Sequence, residues 1–387
     1  MTSPRLRRLG AFLRLEAYHT HGILRGLAQF AREHAGIEVL KLPQPASYSP
    51  TAIRALRLDA IVARVTSARD EAALARCGVP VVNVSGQFAT RTIAWVNTDD
   101  ARIGEMAAAH LGSRGLRNFA YCGNRTHLAS QRRRASFRTA TQQWAGTFHD
   151  RTLARSHEAL PFPGTVRREL AHWIRTLPKP VGILGFNDRV VLELAQACQL
   201  AGVTIPHDVA LIGVGNDLTR LEFAPTEITS IEVPTLQLGY RAAQTAMALL
   251  AGRRPPAEIL LPPPKIVTRR STDHFAVDDE QVSVALDYIR EQRSNTIYVT
   301  DVARAAGLSR RVLERRFRAA LGLSVYEHVQ RMHLERAQEL MADAALSLAE
   351  IAYASGYESQ RHLNLAFRRL LDTTPGAFRK TVLQRPA

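Results

Sequence analysis

The feature that most constrains this chain is a pattern written twice between Asp301 and Arg379. The first copy opens with Asp301-Val302-Ala303, reaches Gly307, and continues through Leu308, Ser309, Val312, Leu313, Phe317 and Arg318. The second opens with Glu350-Ile351-Ala352, reaches Gly356, and continues through Tyr357, Ser359, Leu363, Phe367 and Arg368. The small Ala lets one helix pack closely on the next. The Gly supplies the positive φ that a tight turn between steeply crossed helices needs. The spacing therefore predicts two helix-turn-helix units, the second with one extra turn residue.

The second helix of such a unit is free to lie in a DNA major groove. Its exposed face should then be basic. Ser309–Ala320 carries Arg310, Arg311, Arg315, Arg316 and Arg318 against one acid, Glu314. Ser359–Leu370 carries Arg361, Arg368 and Arg369 with no acid, and adds Gln360, His362 and Asn364. One such helix alone reads equally well as a solvated face. Two copies in register read as a double-stranded-DNA reader. Ser309, Arg310, Arg311, Glu314, Arg315 and Arg318 are expected at one groove. Ser359, Gln360, Arg361 and Asn364 are expected at the next, with Arg368 on phosphate. Arg can grip guanine bidentately, and Asn or Gln adenine.

Caps set the boundaries. Thr300 is the expected N-cap before Asp301. Ser324–Glu327 and Ser347–Glu350 are capping boxes. Val282, Ala285, Leu286 and Ile289 follow helical spacing and predict a helix ahead of the first unit. Tyr326, Val329, Ala337, Leu340 and Met341 are expected to be core residues of the connecting helix. That helix would set the two readers in successive major grooves, roughly 34 Å apart.

These residues, with Arg331 and Ala337 and the ending Thr374-Pro375-Gly376-Ala377-Phe378-Arg379, resemble the AraC/XylS family of transcription regulators. Leu363, and Leu371-Asp372 near the end, depart from the usual family residues at packing and turn positions. The resemblance implies an operator duplex and RNA polymerase as partners.

Net charge is +16, from 51 basic and 35 acidic residues. Residues 281–387 hold only 16 of those bases and 11 of the acids, so the local Arg pattern, not the total, argues for DNA. Cys77, Cys122 and Cys198 are odd in number and widely spaced, which predicts free thiols in a reducing cytoplasm. No stretch reaches the roughly 18 apolar residues that span a membrane. Arg5, Arg7 and Arg8 precede an apolar run interrupted by Arg14 and Glu16, which reads as a first strand and not as a signal peptide.

Upstream, strands and helices alternate. Strands are expected at Leu6–Leu15, Val39–Leu42, Asp59–Ala63, Val79–Val84, Asn118–Cys122, Val181–Phe186, Val209–Val214, Glu258–Leu261 and Lys265–Arg269. Helices are expected at Ile23–His34, Ala52–Leu58, Asp70–Cys77, Asp99–Gly112, Gln131–Trp144, Glu169–Leu177 and Arg189–Ala201, with a loop at Ala17–Gly22. Apolar strands in this order imply parallel sheets covered on both faces. The length suits two lobes joined by several crossings, and Ser271–Glu280 reads as a linker.

Val96-Asn97-Thr98-Asp99-Asp100 with Gly104, Arg133 before Ser136-Phe137, Phe186-Asn187-Asp188, and Val209–Asp217 leading to Thr229-Ser230-Ile231 resemble the LacI-type, periplasmic-binding-protein-like sensor family. The resemblance implies a dimerising sensor at residues 1–270, a linker at 271–280, a DNA-binding domain at 281–387, and a homodimer. It implies a small sugar effector, D-xylose or another pentose, bound between the lobes and controlling transcription as an activator. Asp99, Arg133, Asn187 and Asp188 are the implied contacts. Tyr18, Thr20 and His21 join them, as do Asn216 and Asp217. Sugar hydroxyls donate and accept, which suits carboxylates, amides and a guanidinium. Gly215 stands where that family often has Asp, so another small-molecule effector remains open. A sugar-binding receptor is the alternative from another class. No cofactor is implied. Gly213-x-Gly215 lacks a nucleotide fingerprint's third Gly, and no HExxH, G-x-S-x-G or phosphate-loop pattern appears, so no enzyme is expected.

Overall fold

The structure, a computed structural model, describes residues 6–15, 18–144, 146–153, 162–273, 279–341, 343 and 345–383. Arg5, Glu16, Ala17 and residues 274–278 of the expected linker lie outside them. The chain divides into two compact units, residues 1–112 with 116–274, and residues 113–115 with 275–387.

The first unit holds two parallel α/β lobes. The first lobe comprises β1 (Arg7–Leu13), α1 (Tyr18–Glu33), β2 (Ile37–Pro43), α2 (Pro50–Ala55), β3 (Ala60–Ala63), α3 (Ala68–Ala75), β4 (Val81–Asn83) and β5 (Ala94–Thr98). The second comprises α4 (Asp100–Gly112), β6 (Asn118–Asn124), α5 (Leu128–Thr141), β7 (Phe148–Leu153), α6 (Gly164–Thr176), β8 (Val181–Gly185), α7 (Asp188–Ala201), β9 (Val209–Gly215), α8 (Leu218–Leu221) and β10 (Thr229–Glu232). The chain then returns to the first lobe with α9 (Thr235–Leu250) and β11 (Glu258–Leu261), and ends in the second with β12 (Ile266–Val267). Among the described residues each sheet has six strands, in the orders β2-β1-β3-β4-β5-β11 and β7-β6-β8-β9-β10-β12. All pairings are parallel except β10 with β12. The chain crosses between lobes three times, at 99, at 233–234 and at 262–265.

Several expectations need correction. The expected loop at Ala17–Gly22 is helix from Tyr18 onward. Gly22 reads as a breaker, but it is needed for close packing of α1 on α9. A Cβ on Gly26 would stand 2.0 Å from the Leu236 carbonyl oxygen, and one on Gly239 would stand 1.9 Å from that of Ile23. The helix α9 itself, and the strands β5, β7 and β10, were not among the expected elements. Phe148–Leu153 is polar and half-exposed at the sheet edge, so it lacks the apolar signature of a buried strand. Cys77, Cys122 and Cys198 are free and buried.

The second unit is helical: α10 (Glu280–Glu291), α11 (Val299–Ala305), α12 (Arg310–Leu321), α13 (Val325–Leu340), α14 (Leu348–Ala354), α15 (Gln360–Leu371) and α16 (Pro375–Leu383). It has two cores sharing α13. Val282, Ala285, Leu286 and Ile289 join Val302, Leu313, Phe317, Val325 and Val329 in one. Leu334, Ala337 and Met341 join Ile351, Ala352, Leu363 and Phe367 in the other. Both capping boxes form. Thr300 is not the cap, because α11 begins at Val299. The Tyr298 carbonyl accepts from the Asp301 and Val302 N–H groups. Tyr326, expected in the core, is 53% exposed. It falls on the face of α13 away from the Val325 and Val329 stripe.

Gly307 and Gly356 both take positive φ, +65° and +85°. A Cβ at Gly307 meets open space, whereas one at Gly356 would lie 2.4 Å from His333 Nε2 and 2.7 Å from the Asn295 carbonyl oxygen. Gly307→Ala should therefore cost only the left-handed penalty, about 1–2 kcal/mol. Gly356→Ala should cost clearly more. Urea unfolding of the two variants checks the order.

Candidate ligand cleft and nucleic-acid interface

In open parallel sheets the loops after the strands' carboxyl ends are where ligands bind. Several of the expected effector residues fall there, whereas Arg133 lies within α5 and Thr20 and His21 within α1. Tyr18 begins α1 after β1. Asn187 and Asp188 follow β8, and Asn216 and Asp217 follow β9. Burial, followed by the negative charges of Asp217, Asp188 and Glu232, pushes the Tyr18 phenol up. Tyr18 of the first lobe thus feels the charges of carboxylates on the second.

Asp188 is the deepest of these groups. Its Oδ1 accepts from the Ser230 hydroxyl at 2.6 Å, and its Oδ2 from the Asp217 N–H at 2.7 Å. Burial pushes its carboxyl up to about 6, against the lowering effect of those two donors. Gly213 and Gly215 make its room. A Cβ on Gly213 would stand 2.3 Å from Oδ1, and one on Gly215 would stand 3.0 Å from Oδ2. The glycine at 215 suits both the carboxylate packed close against it and a φ of +131°.

Arg133 is buried on α5. Its Nε donates to Asp100 Oδ1 at 2.8 Å and its Nη1 to the Phe186 carbonyl at 2.6 Å. Its guanidinium lies 5.1 Å from the Phe186 ring centroid, and His127 packs on the same ring at 4.7 Å. The partner of Arg133 is therefore Asp100, one residue beyond the Asp99 singled out from the sequence. Asp99 caps α4 by accepting from the Arg102 N–H at 3.0 Å. Burial raises the Asp100 carboxyl while the Arg133 charge lowers it, and Asp100 Oδ2 has no hydrogen-bond partner among the described residues.

The other expected residues divide. Asn187 caps α7, accepting from the Val190 N–H at 3.0 Å. Asn216 has its side-chain oxygen held by Arg269 at 2.7 Å. Asp217 accepts from Thr219 and Arg220. Thr20 is fully buried, and its hydroxyl has no partner among the described residues. His21 is exposed on α1. Sequence reasoning missed Asp100, Phe186 as the shared ring, and Arg64. Arg64 is 7% exposed, and its Nη1 lies 2.9 Å from His19 Nε2. Its signal was there: a lone charge closing the apolar run Ala60-Ile61-Val62-Ala63.

On the second unit, Ser309 and Ser359 cap α12 and α15 by accepting from the N–H groups of Val312 and His362. Arg310, Arg311, Arg315, Arg318, Gln360, Arg361 and Arg368 are exposed, and Asn364 is half-buried. Arg316 is taken up internally, donating to Gln281 at 2.6 Å. Glu314 turns back toward the Val325 N–H at 3.4 Å. One groove is lined by Arg310 at the start of α12 and by His362, Leu365 and Arg369 of α15, with Tyr298 and Tyr326 between them. Both reading helices thus border the same groove.

A two-lobed binding unit followed by a paired helix-turn-helix unit defines a ligand-responsive DNA-binding transcription regulator. A periplasmic binding protein-like domain model matches residues 108–272, and a helix-turn-helix domain model matches residues 302–381. The chain is 30% identical over 332 residues to the xylose operon regulatory protein of Escherichia coli K12, covering 83% of each chain. It is 24% identical over 367 residues to that of Haemophilus influenzae, covering 92% of this chain and 94% of the relative. A solved structure described as the xylose-binding transcription activator xylR aligns over 98% of this chain and 99% of its own, at 25% identity and a TM-score of 0.63. The chain belongs to the family of xylose operon regulatory proteins, which are transcription regulators and not enzymes.

Removing Arg133 leaves Asp100 buried and unpaired, which should cost about 3–5 kcal/mol. A thermal scan of Arg133→Ala should show that loss, whereas a residue that only met ligand would leave the midpoint in place. Asp188 gives a pH signature. Its folded value lies above the usual carboxylate value near 3.9. Between roughly pH 4 and 6 the folded state holds a proton that the unfolded chain has released, so this group's contribution to stability falls as pH rises through that window. Asp188→Asn should flatten the slope of unfolding free energy there.

Proposed function

We propose that this chain is a pentose-responsive transcription activator, with D-xylose the effector. The observation carrying this reading is the alignment, lobes and DNA-binding unit together, with a xylose-binding transcription activator over 98% of the chain. Residues 1–270 would sense and dimerise, 271–280 would link, and 281–387 would bind DNA. The active species would be a homodimer acting with RNA polymerase in the cytoplasm. Arg133, Asp188, Tyr18 and Thr20 would line the sugar site, with Asp217 in support. Asp99, Asn187 and Asn216 are engaged as caps or with Arg269, and would bind only through polar capacity left over. A cleft of carboxylates, a guanidinium and an aromatic face suits a polyhydroxyl ring.

On DNA, Arg310, Arg311 and Arg315 would enter one major groove beside Ser309, Glu314 and Arg318. Gln360, Arg361 and Asn364 would enter the next, beside Ser359 and Arg368. The sugar can shift operator affinity only by binding the two states of the sensor unequally.

Calorimetry against a pentose panel checks the effector. D-xylose should bind, Asp188→Asn should weaken it at least ten-fold, and no heat with any pentose would reject the assignment. Reversing charge at Arg310, Arg311 and Arg361 should weaken promoter binding at least ten-fold in a gel-shift titration at low salt. It should also reduce the steepness of the salt dependence, because each lost phosphate contact removes about one unit of slope.

A further inference from the structure

Leu365 stands out on α15. Every apolar neighbour needed by the core faces inward: Leu363, Ala366 and Phe367 are buried in the second core. Leu365 is 55% exposed. At about 100° per residue, it lies roughly 200° from both Leu363 and Phe367, opposite the core. Arg361 precedes it by one turn and Arg368 follows by one turn, so Leu365 sits at the centre of the basic stripe. It also borders the groove shared by the two reading helices.

A helix that meets the duplex with this stripe presents two kinds of group. The guanidiniums suit phosphate oxygens and guanine edges. A branched aliphatic side chain between them suits neither, and it makes no hydrogen bond. In the major groove the one apolar group on a base edge is the 5-methyl of thymine. We propose that Leu365 is a specificity-determining residue that packs on a thymine methyl in the groove read by α15. Arg361 and Arg368 would position the helix, and Leu365 would select the base. This rests on the reading that α15 enters a major groove.

The test uses the full chain. Preferred duplexes are selected from a random library. Each thymine of the selected site is then replaced singly by deoxyuridine, which lacks only the methyl. Wild type, Leu365→Ala and Arg361→Ala are titrated against each duplex. For wild type, at least one replacement should weaken binding about three- to five-fold, the size expected for losing one buried methyl. The same replacement should leave Leu365→Ala unchanged. If Arg361→Ala weakens binding but no thymine position distinguishes wild type from Leu365→Ala, the thymine assignment is overturned alone. If Arg361→Ala binds as wild type does, the placement of α15 on DNA is overturned, and the assignment with it.

Discussion

The cleft depends on how the second lobe holds buried charge. Asp100 follows directly on the first crossing between lobes, and its carboxylate is 1% exposed. An isolated carboxylate there would cost several kcal/mol. Arg133 offsets that cost by placing its Nε on the carboxylate and its Nη1 on the Phe186 carbonyl. The start of α4, the middle of α5 and the end of β8 are thereby fixed to one another. The same guanidinium holds the Phe186 ring from one side, with His127 on it as well. A single planar cation thus orients both a charged and an aromatic wall.

Asp188 solves the same problem differently. Its hydrogen bonds come from neutral donors, the Ser230 hydroxyl of β10 and the Asp217 N–H after β9. Burial raises both carboxyls, and it does so against the Arg133 charge at Asp100 and against the Ser230 and Asp217 donors at Asp188. The cost is one of backbone freedom. A side chain at Gly213 would overlap Asp188, and one at Gly215 would crowd it on a backbone with φ of +131°, a conformation that favours glycine.

The parts legible in the sequence were those with redundant local signals. The helix-turn-helix pairs were written in Ala, Gly and Phe at fixed offsets, and the two capping boxes fixed α13 and α14 independently of any packing. Elements without a local signal were missed. The helix α9 has no capping side chain and contains Gly239, yet it forms because α1 presents Gly22 and Gly26 to it. Tyr326 shows the converse: a large aromatic at the start of an amphipathic helix that stays 53% exposed. In the cleft, sequence located the strand-end loops but not which of two adjacent acids turns inward. Asp99 and Asp100 are the same residue type one position apart. Helix geometry sends them roughly 100° apart, so one caps while the other is buried. Only the position of α5 decides which.

The arginines of the second unit show why net charge was a weak guide to DNA binding. Arg290, Arg304 and Arg336 pair with acids three residues away on their own helices, and Arg316 is spent on Asp279 and Gln281. Their charges are largely neutralised within the fold. Arg310, Arg311 and Arg315 on α12, and Arg361 and Arg368 on α15, make no ion pair among the described residues. A duplex gains from releasing counterions held near phosphates, and only cations not already neutralised can replace them. The unit therefore keeps its unpaired arginines on α12 and α15, while a larger share of the chain's basic residues lies upstream. Where a cation is left unpaired in a fold that pairs its neighbours, the local arrangement identifies the surface that meets the polyanion, and the total does not.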